Sequence, residues 1–393
     1  MAKAKDSQAW QTVKLGDVTR QIKHKVSDPV SEDITHYLPG GGIRNDSFLI
    51  SEWQPINDGV MGPAFHMCFL PGHTLYKSRV PHGVGVADRK GICANTTYII
   101  EANPEQLLPE LLPFILITNE FRQFEKENNR GSTNLFINYN QITKYIFSLP
   151  PVDEQRRIAD LLWAADDSIT EYQSTLDKLH TTTTSFLETQ IANGLKNGWR
   201  QTLFDELLTE TQYGISKKSG LQREGTVPIL GIPNVVAGNI DLSKLAWVEV
   251  SESEFEKYRL NTGDILIVRT NGNPNYVGRC VALKDIPENS VYASYLIRLR
   301  VLEDRANPSF IEAILNSRHM RRTLMNEIRS SAGNYNLNTQ GIRKQKIPLP
   351  PLSGQDSTVK KLNEFNMSKG QLESHIENQR KLKTDLLNTL LSN

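Results

Sequence analysis

Between Pro151 and Pro228 the chain has no proline, and apolar residues fall at Ile158, Leu162, Ala165, Ile169, Tyr172, Leu176, Leu179 and Phe186. Steps of four and three alternate along this run, with one gap at Thr183, and that alternation is the seam of a coiled coil. The spacing predicts a helix from about Asp153 to Asn193, roughly 60 Å long at 1.5 Å per residue. Asp153 and Glu154 suit its positive N-terminal end, and Gly194 with Gly198 supplies a stop. A second run places Leu362, Phe365, Leu372, Ile376, Leu386 and Leu390 on one helical face, interrupted by Lys369, Gln379 and Lys383. Two helices of similar length in one chain favour pairing with each other, antiparallel and related by a pseudo-two-fold axis if the halves are equivalent. Two separate core helices, or a coiled coil joining two copies, stay open as alternatives.

The stretches before each helix mix the two periodicities. Strands are expected at Asp264–Arg269, Val291–Arg300, Thr96–Ile100 and Tyr145–Leu149, and helices at Phe310–Ile328 and, broken by Pro109 and Pro113, at Leu107–Phe124. The fold class is therefore α+β. Its organisation is a globular part at 1–149, a helical spacer at 150–198, a second globular part at 199–349 and a second spacer at 350–393.

The chain also repeats itself. Leu149, Pro150, Pro151 recurs as Leu349, Pro350, Pro351, and at the same spacing Asn138, Ile142, Lys144, Gln155 and Leu162 match Asn338, Ile342, Lys344, Gln355 and Leu362. Trp10, Leu15 and Val18 echo Trp199, Phe204 and Leu207, and Pro71–Leu75 is a weaker echo of Thr262–Leu266. Asn138 with Gln141 reads as a capping box before the first LeuProPro, whereas Gly341 leaves the second copy only its cap residue, Asn338.

The 393 residues exceed what one core usually serves, and 38% hydrophobic with 23% charged residues is an ordinary folded composition. Forty-five basic residues against 44 acidic ones deny the chain the balance of an autonomous nucleic-acid binder. The charge is uneven, however: residues 199–350 carry 20 basic against 16 acidic residues, and 151–198 carry 4 against 8. Cys68, Cys93 and Cys280 are too few for a disulfide framework, which points to a reducing cytoplasm. No apolar run approaches the roughly 20 residues of a membrane span, and Met1–Gln8 is too polar for a signal peptide.

The LeuProPro junctions carry a resemblance. The run Leu149, Pro150, Pro151, Val152, Asp153, Glu154, Gln155, Arg156, Arg157, Ile158 resembles the junction between recognition domain and conserved helix in the specificity subunits of type I restriction-modification systems. The stretches Gly263–Arg269 and Gly333–Gln340 resemble that family's second recognition domain, and the order of two domains and two helices is the family's plan over nearly the whole chain. The resemblance implies a subunit that makes no bonds itself. Each globular part would be a target-recognition domain reading half of a split, asymmetric double-stranded DNA site, and the helices would hold two modification subunits and, indirectly, restriction subunits. It further implies S-adenosylmethionine and adenine methylation in the modification subunits, and ATP with magnesium in the restriction subunits, with no cofactor in this chain. Half-sites would then lie roughly one duplex turn apart, about 34 to 36 Å. The second junction departs from the pattern by reading Leu352, Ser353, Gly354, Gln355, Asp356, and the first half has His73 where Asp264 stands in the second.

Base reading needs donors and acceptors on exposed loops. In the second half Arg269, Asn271, Asn273, Asn275 and Arg279 form one candidate loop, and Asn334, Tyr335 and Asn336 another; Lys217 and Lys218 suit phosphates. Asn271 and Asn273 fit adenine, Arg269 or Arg279 guanine, though an Asn-Gly turn serving its own backbone accounts for the same residues. The first-half candidates are Arg44 and Asn45; Lys77 and Arg79; Arg89 and Lys90; and Ser132 and Asn134. Arg318, Arg321 and Arg322 share a helix face and suit either a phosphate backbone or solvent.

Enzyme signatures are missing from the sequence. His66, Cys68, His73, His82 and Cys93 lack paired ligand spacing, so no metal is expected, and no Gly-Lys-Ser or Gly-Lys-Thr phosphate loop occurs. No Asn-Pro-Pro-aromatic segment is present to hold a flipped base. Two other readings stay open: a recognition module of a related methyltransferase or phage-defence system, and a coiled-coil adaptor that binds protein rather than DNA.

Overall fold

The computed structural model describes residues 10–43, 47–50, 52–56, 62–235, 240–331 and 333–391. The chain divides into two units, one of Met1–Thr175 with Leu372–Asn393 and one of Leu176–Gln371. Each unit joins a globular part to adjoining stretches of two long helices, Val152–Lys196 and Leu352–Leu391.

The globular parts share one construction. In the first unit an antiparallel sheet runs in the order Thr19–Ile22, Thr97–Ala102, Thr74–Lys77, Gly83–Val86. In the second the order is Leu208–Tyr213, Leu296–Val301, Ile265–Val268, Cys280–Ala282. Side chains alternate across a strand, and Ile265 and Ile267 accordingly enter one core cluster while Leu266 and Val268 enter another. A second sheet in each unit contains a parallel pair, His36–Leu38 with Gly91–Ala94 and Thr226–Leu230 with Val291–Tyr292. A two-stranded ribbon closes each part, Gln11–Lys14 with Ile146–Leu149 and Arg200–Leu203 with Lys346–Leu349. The fold is α+β, built twice.

Three expected elements come out differently. Val291–Arg300 is split, because Val291–Tyr292 and Leu296–Val301 join different sheets across a turn in which the Leu296 amide donates to the Ala293 carbonyl (2.9 Å). Phe310–Ile328 is two helices, Pro308–Asn316 and Arg318–Met325, since the extended Ser317 caps the second by accepting from the Met320 amide (3.2 Å). Thr118 does the same for Asn119–Asn128, which leaves only Leu112–Ile115 helical ahead of it. The caps of the short helices are also exchanged. Asn138 makes no side-chain cap bond, whereas Asn338 accepts from the bare Gly341 backbone at 2.7 Å.

The helical seam is covered within each unit. Ile158, Leu162, Ile169 and Ile376 are buried, and Tyr172, Leu176, Leu179, Phe186, Leu362, Phe365, Leu372, Leu386 and Leu390 are half-buried. In the first unit Tyr172 stacks on His375 (5.5 Å) and Asp166 pairs with Lys383, so rising numbers on one helix meet falling numbers on the other: the pair is antiparallel. In the second unit Phe186 meets Phe365 at 5.6 Å. Lys383 does not interrupt the seam as expected. It is 9% exposed, and its ammonium lies 4.5 Å from the Phe48 ring centre and 5.6 Å from that of Phe114. The first helix ends where the Trp199 amide donates to the Gly194 carbonyl (2.7 Å), with Gly198 at φ +92°. Gly194 has to be bare, because a Cβ there would sit 2.1 Å from the Trp199 ring.

Candidate nucleic-acid interface

The turn that leads into the central strand is the same in both units. Gly72 and Gly263 hold φ of +85° and +90°, a region glycine favours. The Gly72 amide donates to the Ala87 carbonyl (2.8 Å) and the Gly263 amide to that of Leu283 (2.9 Å). His73 Nδ1 accepts from the Leu70 amide at 3.1 Å, as Asp264 Oδ2 accepts from the Asn261 amide at 2.9 Å. The first half therefore does contain a counterpart of Gly263–Arg269, with an imidazole doing the work of a carboxylate. Asp264 is spent on this turn and on Arg300, whose Nε lies 2.7 Å from it. Arg300 also pairs with Glu210 (2.8 Å), and Glu210 pairs with the buried Arg298 (2.7 Å).

Beyond that strand, the candidate loops come together in each unit. In the second unit Thr270–Asn271 and Arg329–Ser331 flank Asn334–Asn336 in a three-stranded sheet, and the Leu337 amide donates to the Arg269 carbonyl (2.8 Å). In the first unit Arg79 and Arg130 flank Phe136, and the Ile137 amide donates to the Ser78 carbonyl (3.0 Å). Ser78 thus occupies the place of Arg269, Arg79 that of Thr270, Val80 that of Asn271 and Phe136 that of Asn336. Lys77, Arg79, Ser132 and Asn134 share one element, as do Arg269, Asn271, Asn273, Asn275 and Asn334–Asn336.

Side-chain geometry separates these residues further. Arg269 is half-buried, its guanidinium 4.7 Å from the Tyr213 ring centre and its Nη1 on the Ser294 carbonyl (3.3 Å). Such stacking preorganises the planar fork. Arg279 stacks on Tyr276 (4.7 Å) and donates through Nε to the Asn275 carbonyl (3.0 Å). Asn271 Oδ1 accepts from the Asn273 amide (2.8 Å), and Asn273 Oδ1 from the Asn275 amide (3.0 Å). Each oxygen already serves a local turn, so a bidentate adenine contact asks it to accept a second bond. Asn336 Nδ2 lies 3.4 Å from the Asn334 carbonyl, while Tyr335 packs half-buried against the core.

Other candidates lie outside these elements. Lys217 bonds Glu254 (2.5 Å) and the Glu249 carbonyl (3.3 Å), and Lys217 holds the Glu254 carboxyl below its ordinary value. Lys218 is beside it and exposed. Arg89 grips Asp88 with two bonds of 3.0 Å and stacks on Trp53, and Lys90 bonds the Glu32 carbonyl at 2.6 Å. Arg44 and Asn45 lie outside the described residues. Arg318, Arg321 and Arg322 line a cleft of about 1000 Å³ in the second unit together with Arg279 and Glu312. Burial pushes the Glu312 carboxyl up to about 7. Of the five residues weighed as metal ligands, Cys68 alone enters the one group that gathers among the described residues, His24, Glu32 and Cys68, with ligand atoms within 4.8 Å of one another. Glu32 in that group also faces Lys90 (3.7 Å).

Sequence reasoning missed Arg130, Arg329 and Tyr213. The two arginines stand 199 residues apart, the spacing of the helix caps Thr118 and Ser317, and that second register is the signal that finds them.

The family profile of the type I restriction modification DNA specificity domain matches residues 82–179 and 206–381. The chain is 29% identical over 293 residues to the type I restriction enzyme EcoKI specificity subunit of Escherichia coli (strain K12), a match covering 69% of this chain and 63% of that protein, less than two thirds of its length. It is 23% identical over 419 residues to the StySPI specificity subunit of Salmonella potsdam, covering 96% and 86%. Among solved structures, the S subunit of a type I restriction-modification system from M. genitalium superposes with a TM-score of 0.59 at 14% identity, covering 100% of this chain and 98% of that one. A chain from a structure of the assembly of a type I R-M system also gives 0.59, at 18% identity and 98% coverage of both. These two structural likenesses support the fold. With a doubled recognition layout and a profile that matches well over half of its residues, the chain belongs to the family of type I restriction-modification DNA specificity subunits.

Proposed function

We propose that this chain is the non-catalytic DNA-reading subunit of a type I restriction-modification complex. Each unit reads one half of a split, asymmetric duplex target, and the helices hold two modification subunits and, through them, restriction subunits. S-adenosylmethionine is carried by the modification subunits and ATP with magnesium by the restriction subunits, while this chain supplies placement. The complex works in the cytoplasm, a compartment that suits three buried free cysteines. No helix among the described residues is long and apolar enough to cross a membrane.

One observation carries the reading: the same strand-and-loop element stands in both units with different side chains on it, Val80 and Phe136 against Asn271 and Asn336, and Arg269 where the first unit buries Ser78. Two copies of one scaffold with unlike surfaces are what a protein needs to read two unlike half-sites. The test is methylome sequencing of the host with and without the gene. A split adenine-methylated motif that disappears with the gene supports the reading. An unchanged methylome, with no salt-sensitive DNA binding by the complex, favours an adaptor that joins proteins.

A further inference from the structure

The doubled element provides an internal comparison between positions that stayed alike and positions that diverged. Arg130 and Arg329 are alike: each faces the middle residue of the element, Phe136 or Asn336, across an antiparallel pair, and each is exposed. The positions around them are unlike, with Val80 against Asn271 and Phe136 against Asn336, and with Arg269 standing where the first unit buries Ser78 on the Thr96 carbonyl (2.6 Å). Phosphates carry no sequence information, whereas base edges do. A subunit reading two different half-sites must therefore vary where it meets bases and is free to stay constant where it meets the backbone.

We propose that Arg130 and Arg329 are matched phosphate contacts that set the register of each recognition element on the duplex, and that the divergent positions beside them read bases. This rests on the DNA-reading function proposed above. Among the described residues Arg329 makes one bond, from Nη1 to the Asn326 carbonyl (3.0 Å). That bond ties the arginine to the end of the preceding helix, and no other described residue bonds its guanidinium.

The test uses the full chain in complex with its modification subunits, with fluorescence anisotropy on a duplex bearing the methylated motif and on a scrambled duplex, over a salt series. Arg130→Gln or Arg329→Gln is expected to weaken binding to both duplexes by the same factor, roughly three- to tenfold, and to lower the slope of log affinity against log salt by about 1. The melting temperature stays unchanged, and Arg→Lys restores most of the loss. Asn336→Ala weakens binding to the target duplex alone. A loss confined to the target duplex, or an unchanged salt slope with a lowered melting temperature, overturns the assignment. If the unmodified complex shows no salt-dependent binding to either duplex, the DNA-reading function itself fails.

Discussion

Gln155 and Gln355, 200 residues apart, make the same three hydrogen bonds. Gln155 accepts from the Leu108 amide (2.8 Å) and donates to the Gln106 and Pro150 carbonyls (2.7 and 2.9 Å). Gln355 accepts from the Asn307 amide (2.8 Å) and donates to the Arg305 and Pro350 carbonyls (3.0 and 2.9 Å). Both side chains are buried, and each ties the first turn of a long helix to its globular part. Replacing either by Leu orphans three backbone groups, which costs about 2 to 4 kcal/mol. Hydrogen exchange should show the Leu108 amide losing protection in Gln155→Leu and the Asn307 amide in Gln355→Leu. Unchanged protection at both amides would refute the account.

The Asp166–Lys383 pair is buried, with Asp166 4% and Lys383 9% exposed. Removing one partner strands a charge in an apolar setting, while removing both does not. Lys383→Met or Asp166→Leu alone is expected to lose about 3 to 5 kcal/mol, and the double variant to recover most of it. Denaturant titration of the three variants checks this, and a double variant that loses the sum of the two single losses would show that the pair is not coupled.

Arg269 stands stacked on Tyr213 in the second unit. Arg269→Ala should relax discrimination in one half-site only, by about 1 to 3 kcal/mol for a bidentate guanine contact. Methylation of duplexes varied one half-site at a time reads this directly, and a uniform loss across all sequences would make Arg269 a phosphate contact instead.

Glu312 is held up to about 7 by burial, against the lowering influence of the Ala282 amide and Lys284. The folded protein keeps this proton at a pH where the unfolded chain has released it, so the stability this group contributes is full below about pH 4.5 and is lost as pH rises to about 7. The loss is about 3 kcal/mol at most. Glu312→Gln should flatten stability across that window and melt higher than the parent above pH 7. A stability difference between parent and variant that stays constant through the window would contradict the assignment.

Much of the layout was legible in the residues. The LeuProPro duplication and the four-three apolar steps are local patterns, set by peptide geometry and side-chain burial, and they survive without knowledge of neighbours. Lys383 read as a break in its seam because its partner lies 217 residues away and the rings that cover it belong to other elements. His73 read as a departure from Asp264 because the two share no charge, only an acceptor atom at the same place in a turn.

By itself the sequence determined the class of the molecule: α+β, doubled, with two long helices and recognition loops of known composition. Only the tertiary structure decided which loops share one element, that Asn271 and Asn273 already serve their own backbone, and that Arg130 and Arg329 each face the middle of that element. The reason is physical. Periodicity and duplication are written along the chain, while a hydrogen-bond partner or a facing strand depends on residues that approach one another only when the backbone has folded.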